Sequence, residues 1–251
     1  MPAQPSSLRE LGAGACGDLR LWLVDLREPD DPGAAVSMLA HDEIERMTSF
    51  RFEADRVRYR RSHSALRQVL AHELGVEPAA LRYAPAAAGG KPRLTWPAAS
   101  PLDFNLSHCR DYALIGLSTS ADVGVDIETP PAWSADDLLQ TARGVLSAAE
   151  LLDLQAMAER ARRGALMRAW TRKEACLKAI GVGLAIEPRL VEVGVGAEPR
   201  RVTLVDTGGQ QRTAQLVQLH GIAGCDFFAA AACVARDAIH DRRRQPTSTR
   251  G

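Results

Sequence analysis

The chain has 251 residues, 46% of them hydrophobic and 25% charged, and its 31 basic and 31 acidic residues give a formal net charge of zero. This length can bury one large core or two small ones without disulfide or metal staples. The neutral balance excludes a protein devoted to gripping nucleic acid or anionic lipid, both of which need surplus positive charge. No apolar run reaches the roughly 18 residues that a bilayer-spanning helix requires. The opening MPAQPSSLRELGAG lacks the charged head and apolar middle of a secretory signal, so a cytoplasmic location is expected. Cys16, Cys109, Cys176, Cys225 and Cys233 form no CxxC pair and read as scattered reduced thiols.

Gly12, Gly14 and Gly17 have GxGxxG spacing, but a dinucleotide-binding turn follows a strand and opens a helix. These glycines precede a strand with nothing strand-like ahead of them, so residues 1–18 are expected to be a flexible N-terminus. Residues 19–26, LRLWLVDL, alternate as a strand. Two helical patterns follow, the second running from Glu53 to Leu74 through Leu66, Val69 and Leu70 until Gly75 stops it. Short strands are predicted at 81–84 and 94–96, on either side of the turn-rich APAAAGGKP. YALIGLS and DVGVDIE then read as two strands joined by a polar turn.

ETPPAW marks a joint, because consecutive prolines end a strand and cannot enter a helix interior. Helices are predicted near 136–143, over 147–163 and over 165–180, with a Ser147/Glu150 capping box opening the second. VEVGVG, RVTLVD, AQLVQLH and CDFFAAAACVAR read as strands, and 237–251 as a disordered basic tail. The chain is thus α+β, with an N-terminal half over 19–128 and a C-terminal half over 129–236. Each half combines helices with a small, mainly antiparallel sheet.

Only three of the 31 basic residues are lysine: Lys91, Lys173 and Lys178. A chain so biased to arginine keeps lysine where a compact ammonium is specifically wanted. In DVGVDIE the strand period puts Asp126 and Glu128 on one face, while Val123, Val125 and Ile127 pack on the other. Paired carboxylates of this kind are either a solvated strand end or, together with substrate phosphates, a way to hold Mg²⁺. Glu174 and Lys178 share a helix face at i, i+4. GGKP offers Lys91 in a tight turn to an anionic group, and FNLSHC brings Asn105, Ser107 and His108 together. Ser107 and His108 point to opposite sides of a strand, which makes a poor nucleophile and base but good phosphate ligands. No zinc-ligand spacing and no GxSxG is present.

GGKP, FNLSH, GVDIE and WTRKEACLK, in this order across residues 89–183, resemble the motif set of the Sfp-type 4′-phosphopantetheinyl transferases. The resemblance implies a monomeric pseudo-dimer of two similar α+β halves, with coenzyme A and Mg²⁺ in the cleft. It implies Asp126, Glu128 and Glu174 as metal ligands, with Glu174 also a candidate general base and Lys178 beside the diphosphate. Lys91, Ser107 and His108 would face the nucleotide end of coenzyme A, with Gly90, Pro92, Asn105, Lys173 and Lys178 completing its site. FRFEADRVRYRRSHSALR resembles the family's arginine-bearing helix, which makes Arg58, ahead of Arg56 or Arg60, the candidate for the 3′-phosphate. The implied reaction carries 4′-phosphopantetheine from coenzyme A to a serine of an apo carrier protein. A Mg²⁺-dependent diphosphate hydrolase or nucleotidyl transferase and a non-catalytic coenzyme A or carrier-binding module are the alternatives.

Overall fold

The computed structural model describes residues 7–11, 16–84, 90–182, 185–198, 201–206, 208–219 and 227–236. The tail over 237–251, Gly12, Gly14, Gly89, Gly183 and Cys225 lie outside them. The elements run β1 (Leu8–Leu11), β2 (Arg20–Asp25), α1 (Pro32–Ser37), α2 (His41–Ser49), α3 (Glu53–Leu74), β3 (Arg82–Ala84), β4 (Arg93–Trp96), β5 (Asp103–Cys109), β6 (Tyr112–Ser118) and β7 (Ala121–Glu128). They continue as α4 (Ala135–Val145), α5 (Ala148–Ala156), α6 (Glu159–Ile180), β8 (Arg201–Val205), β9 (Gln211–Leu219) and β10 (Phe228–Ala235).

Two four-stranded antiparallel sheets form, in the orders β1-β2-β6-β5 and β7-β10-β9-β8. They face each other across a core of Leu21, Leu23, Leu114, Val123, Val125, Ile127, Ala229 and Ala231. The outer face of the first sheet packs on α3 through Trp22, Phe104, Ile115, Leu66 and Leu70. The outer face of the second packs on α6 through Ala230, Ala232, Val234, Ala175 and Leu177. Helix, sheet, sheet, helix is the resulting order of layers. The two halves are alike in build, since α3 and α6 each have 22 residues and each ends on a glycine in the left-handed region, Gly75 and Gly181. This is the α+β pseudo-dimer that the resemblance implies.

Several sequence expectations change. A strand, β1, precedes the Gly12–Gly17 spacing and pairs with β2, so 1–18 is not wholly loop; the glycines still lead into a strand and open no helix. The boundary between sheets falls at the turn between β6 and β7, because β7 pairs with β10 and not with β6. The proposed division after residue 128 therefore does not follow the sheets. Helix α5 stops at Ala156, where Arg162 takes the carbonyls of Gln155 and Met157, and α6 begins at Glu159 and runs through Gly164.

VEVGVG is not a strand. Its alternate valines are buried, yet side chains satisfy much of its backbone. Glu150 accepts from Val193 and Gly194 N–H, Lys173 donates to the Val191 carbonyl, and Arg172 donates to those of Gly194 and Gly196. Those groups have no call for a partner strand.

Candidate active site

The site lies where β5, β7 and α6 meet. Strands β5 and β7 are the facing edges of different sheets, and the alternate side chains of β5 sew them together. Asp103 accepts from Val123 N–H at 2.7 Å, Asn105 accepts from Val125 N–H at 2.9 Å, and the Cys109 sulfur accepts from Thr129 N–H at 3.4 Å. Ser107, in the same row, donates to Asp126 Oδ1 at 3.0 Å. The period-2 geometry of the strand puts all four on one side, with His108 turned the other way.

Helix α6 lies directly on β7 because Gly124 has no side chain. A methyl group there would overlap the Ala175 carbonyl oxygen and the Ala179 amide nitrogen. This approach sets Asp126, two residues on, against Lys178 of α6. Lys178 Nζ lies 2.6 Å from Asp126 Oδ1 and 3.1 Å from Ser107 Oγ. The other Asp126 oxygen, Oδ2, is buried without a hydrogen-bond partner among the described residues, and so is Oε1 of Glu174, one turn before Lys178.

Electrostatics single out these carboxylates. Burial raises the Asp126 pKa, and Lys178 and Ser107 only partly offset it. Glu174 is raised first by burial and then by the negative charges of Asp126 and Glu128. Glu128 is raised by burial and by Asp126, against hydrogen bonds from Cys109 and Trp170. Burial thus disfavours ionisation of all three, and for Glu128 and Glu174 the charge of Asp126 adds to it. Among the described residues no three His, Cys, Asp or Glu side chains form a ready-made metal cage; Lys178 holds Asp126 Oδ1 instead.

The nucleotide-end candidates divide. Ser107, His108, Asn105, Pro92 and Lys178 line a cavity of about 400 Å³ together with His63, Leu66, Tyr83, Phe104 and Leu106. His108 has its pKa lowered by burial and then by the charges of Arg58 and Lys178, so both cations stand near it. Arg58 donates to the Arg110 carbonyl and to Asp55, whereas Arg60 is committed to Asp30 and Arg56 to Glu53 and the Phe50 carbonyl. Gly90 precedes Lys91 in the chain, but Lys91 itself is turned inward. Its buried ammonium meets Asp103 and the Val123 carbonyl.

Lys173 is likewise internal, on Glu150 at 2.6 Å and the carbonyls of Pro188 and Val191. The anions expected for these two lysines are therefore the protein's own. Both ammonium groups are held inside the protein, and a buried ammonium paired in this way cannot leave without stranding a carboxylate.

Residues 122–233 match the 4′-phosphopantetheinyl transferase superfamily. The 4′-phosphopantetheinyl transferase HetI of Nostoc sp. is 30% identical over 202 residues, covering 80% of this chain and 83% of the relative. The chain belongs to the 4′-phosphopantetheinyl transferase superfamily. Further relatives of the transferase include AcpT of Salmonella typhi, 38% identical over 92 residues (37% of this chain, 46% of the relative). The human L-aminoadipate-semialdehyde dehydrogenase-phosphopantetheinyl transferase is 27% identical over 165 residues (63% and 53%).

Two features of the transferase escaped the sequence reading. Gly124 carries the contact of α6 with β7, and a glycine inside a strand pattern is the available signal for so close an approach. Trp170, half-buried and packed against the C-terminal core, also lines a second cavity of about 240 Å³ with Trp133, Leu166, Met167, Val145 and Pro131. Glu128 lies at that cavity's edge, so an apolar pocket adjoins the acidic cluster. Among the described residues no helix is long and apolar enough to cross a membrane.

Proposed function

We propose that this transferase moves 4′-phosphopantetheine from coenzyme A to a serine hydroxyl of an apo carrier protein, with Mg²⁺ bound and 3′,5′-ADP released. The observation that carries this reading is the pair of buried oxygens without a hydrogen-bond partner among the described residues, Asp126 Oδ2 and Glu174 Oε1, in a cluster where burial raises each pKa and the Asp126 charge raises Glu174 further. Such a set of hard oxygen donors fits a divalent cation. Asp126, Glu128 and Glu174 would hold the Mg²⁺, which when bound neutralises diphosphate charge and stabilises the oxygens on which charge develops.

The other roles fall to the chain itself. Lys178, already in the acidic cluster, supplies an ammonium to the diphosphate. Glu174, as a carboxylate with a raised pKa, is a stronger base than an ordinary glutamate and suits it to accept the serine proton. The cavity lined by Ser107, His108 and Lys178, with the Arg58 charge close to His108, suits the phosphorylated nucleotide. The apolar cavity beside Trp170 suits the pantetheine arm.

In the step itself, the serine oxygen bonds to the β-phosphorus of coenzyme A, the bond to the bridging oxygen breaks, and 3′,5′-ADP leaves with the electron pair. Intact-protein mass spectrometry of an apo carrier incubated with enzyme, coenzyme A and Mg²⁺ tests the reading. A carrier mass gain of one phosphopantetheine, dependent on Mg²⁺, is expected; an unmodified carrier across a panel of fatty acid, polyketide and peptide carriers overturns it. Lys178 could serve the leaving diphosphate by charge or by giving it a proton, and Lys178→Arg separates the two, since arginine retains the first and cannot perform the second.

A further inference from the structure

His63 lies on α3 and lines the same cavity as Ser107, His108 and Lys178. Its ring is stacked on Tyr59, with centroids 3.7 Å apart, and its Nδ1 lies 3.0 Å from the Tyr59 carbonyl oxygen. A carbonyl only accepts, so Nδ1 carries a proton and donates it there. Burial, joined by the nearby charges of His108 and Arg67, pushes the pKa down to about 4, so the ring is neutral at physiological pH. A neutral imidazole with Nδ1–H has a bare lone pair on Nε2. Nε2 makes no hydrogen bond among the described residues, while the ring borders the cavity.

A phosphate of the nucleotide offers acceptors, and Nε2 is an acceptor too, so the two do not pair. Arg58, His108 and Lys178 supply the donors and positive charge for phosphate. What Nε2 can take is an N–H or O–H of the nucleoside.

We propose that His63 is a specificity-determining residue of the donor site, with Nε2 accepting a hydrogen bond from a nucleoside donor group, the adenine 6-amino or the ribose 2′-hydroxyl. This rests on the reading that coenzyme A is the donor. Calorimetry on the whole chain with 3′,5′-ADP tests it, using wild type, His63→Leu and His63→Gln. The two source groups are told apart with inosine 3′,5′-bisphosphate, which lacks the amine, and 2′-deoxyadenosine 3′,5′-bisphosphate, which lacks the hydroxyl.

His63→Leu is expected to weaken 3′,5′-ADP about fivefold, as loss of one neutral hydrogen bond does. His63→Gln, whose amide oxygen can accept near the place of Nε2, is expected to restore most of the affinity. The analogue lacking the contacted group should bind wild type and His63→Leu equally. Unchanged affinity in His63→Leu overturns the proposal, as does a loss that vanishes with AMP, since that would assign His63 to the 3′-phosphate. Nitrogen-15 spectra of wild type give a readout independent of any variant: Nε2 should stay unprotonated at saturation, and an imidazolium overturns the proposal. If carriers are modified and 3′,5′-ADP binds but His63 is uncoupled, only this assignment falls. If wild type does not bind 3′,5′-ADP, the donor reading falls and the assignment with it.

Discussion

Five residues apart on α6, Lys173 and Lys178 each sit 2.6 Å from a carboxylate, Glu150 in one case and Asp126 in the other. The surroundings differ. Lys173 is fully buried and adds two carbonyls to its carboxylate, while Glu150 also accepts from the N–H groups of Ser147, Val193 and Gly194. Burial opposes the Glu150 charge, but Lys173 and those N–H groups outweigh it and hold the pKa below the usual carboxylate range. Around Lys178, whose side chain is 28% exposed, two buried oxygens have no hydrogen-bond partner among the described residues and three carboxylates are held above their usual range. A saturated cluster fixes the fold, and an under-saturated one waits for something to complete it.

The sharpest way to break the contrast is at the saturated corner. Lys173→Met leaves the Glu150 carboxylate buried without its counter-ion and should cost about 3–5 kcal/mol of stability by urea denaturation. Gly124→Ala should also unfold the protein or leave it unable to transfer, because backbone and not a flexible side chain blocks the new methyl; circular dichroism and carrier modification read both outcomes.

At the other corner the effect moves from stability to activity. Glu174→Gln should lower transfer by about 100-fold or more, while its unfolding midpoint in metal-free buffer stays at or above that of wild type, because the substitution removes a charge the fold disfavours. The raised pKa of Glu174 means that its ionisation subtracts from stability as pH rises past the unfolded value. The gap between Glu174→Gln and wild type should therefore close as pH falls. Glu150 has the opposite sign, its contribution complete above about pH 4.5 and lost as pH falls through its lowered value.

Mg²⁺ at about 100 times its dissociation constant should stabilise wild type by about 2.7 kcal/mol at neutral pH and leave Asp126→Asn unmoved, as thermal unfolding would register. The smallest effect belongs to the cap beside the saturated corner: Ser147→Ala should cost about 1 kcal/mol in the same urea assay.

Much of this contrast could be read from residue order. Alternation in DVGVDIE assigned Asp126 and Glu128 to one face, helical spacing joined Glu174 to Lys178, and Gly75 ended α3 where the apolar stripe ran out. The rarity of lysine was also informative, since all three ammonium groups meet carboxylates. Which carboxylates they meet was not legible, because Asp103 and Glu150 lie 12 and 23 positions away from Lys91 and Lys173 and only tertiary packing joins them. VEVGVG misled for a similar reason: alternating valines report burial, and burial of an extended segment does not require a neighbouring strand when side chains from α5 and α6 reach its N–H and carbonyl groups.

Strand β7 takes its backbone partner from β10, and that pairing has a consequence for biosynthesis. Glu128 is registered with Phe228, 100 positions later. At translation speeds of 5–20 residues per second, roughly 5–20 s separate the two as they leave the peptidyl-transfer centre. Through that interval the nascent segment bearing Asp126 and Glu128 has an open hydrogen-bonding edge. The acidic strand is thus secured only after the whole stretch between β7 and β10 has been made, and a truncated product lacking β10 would hold these carboxylates without the strand that anchors them.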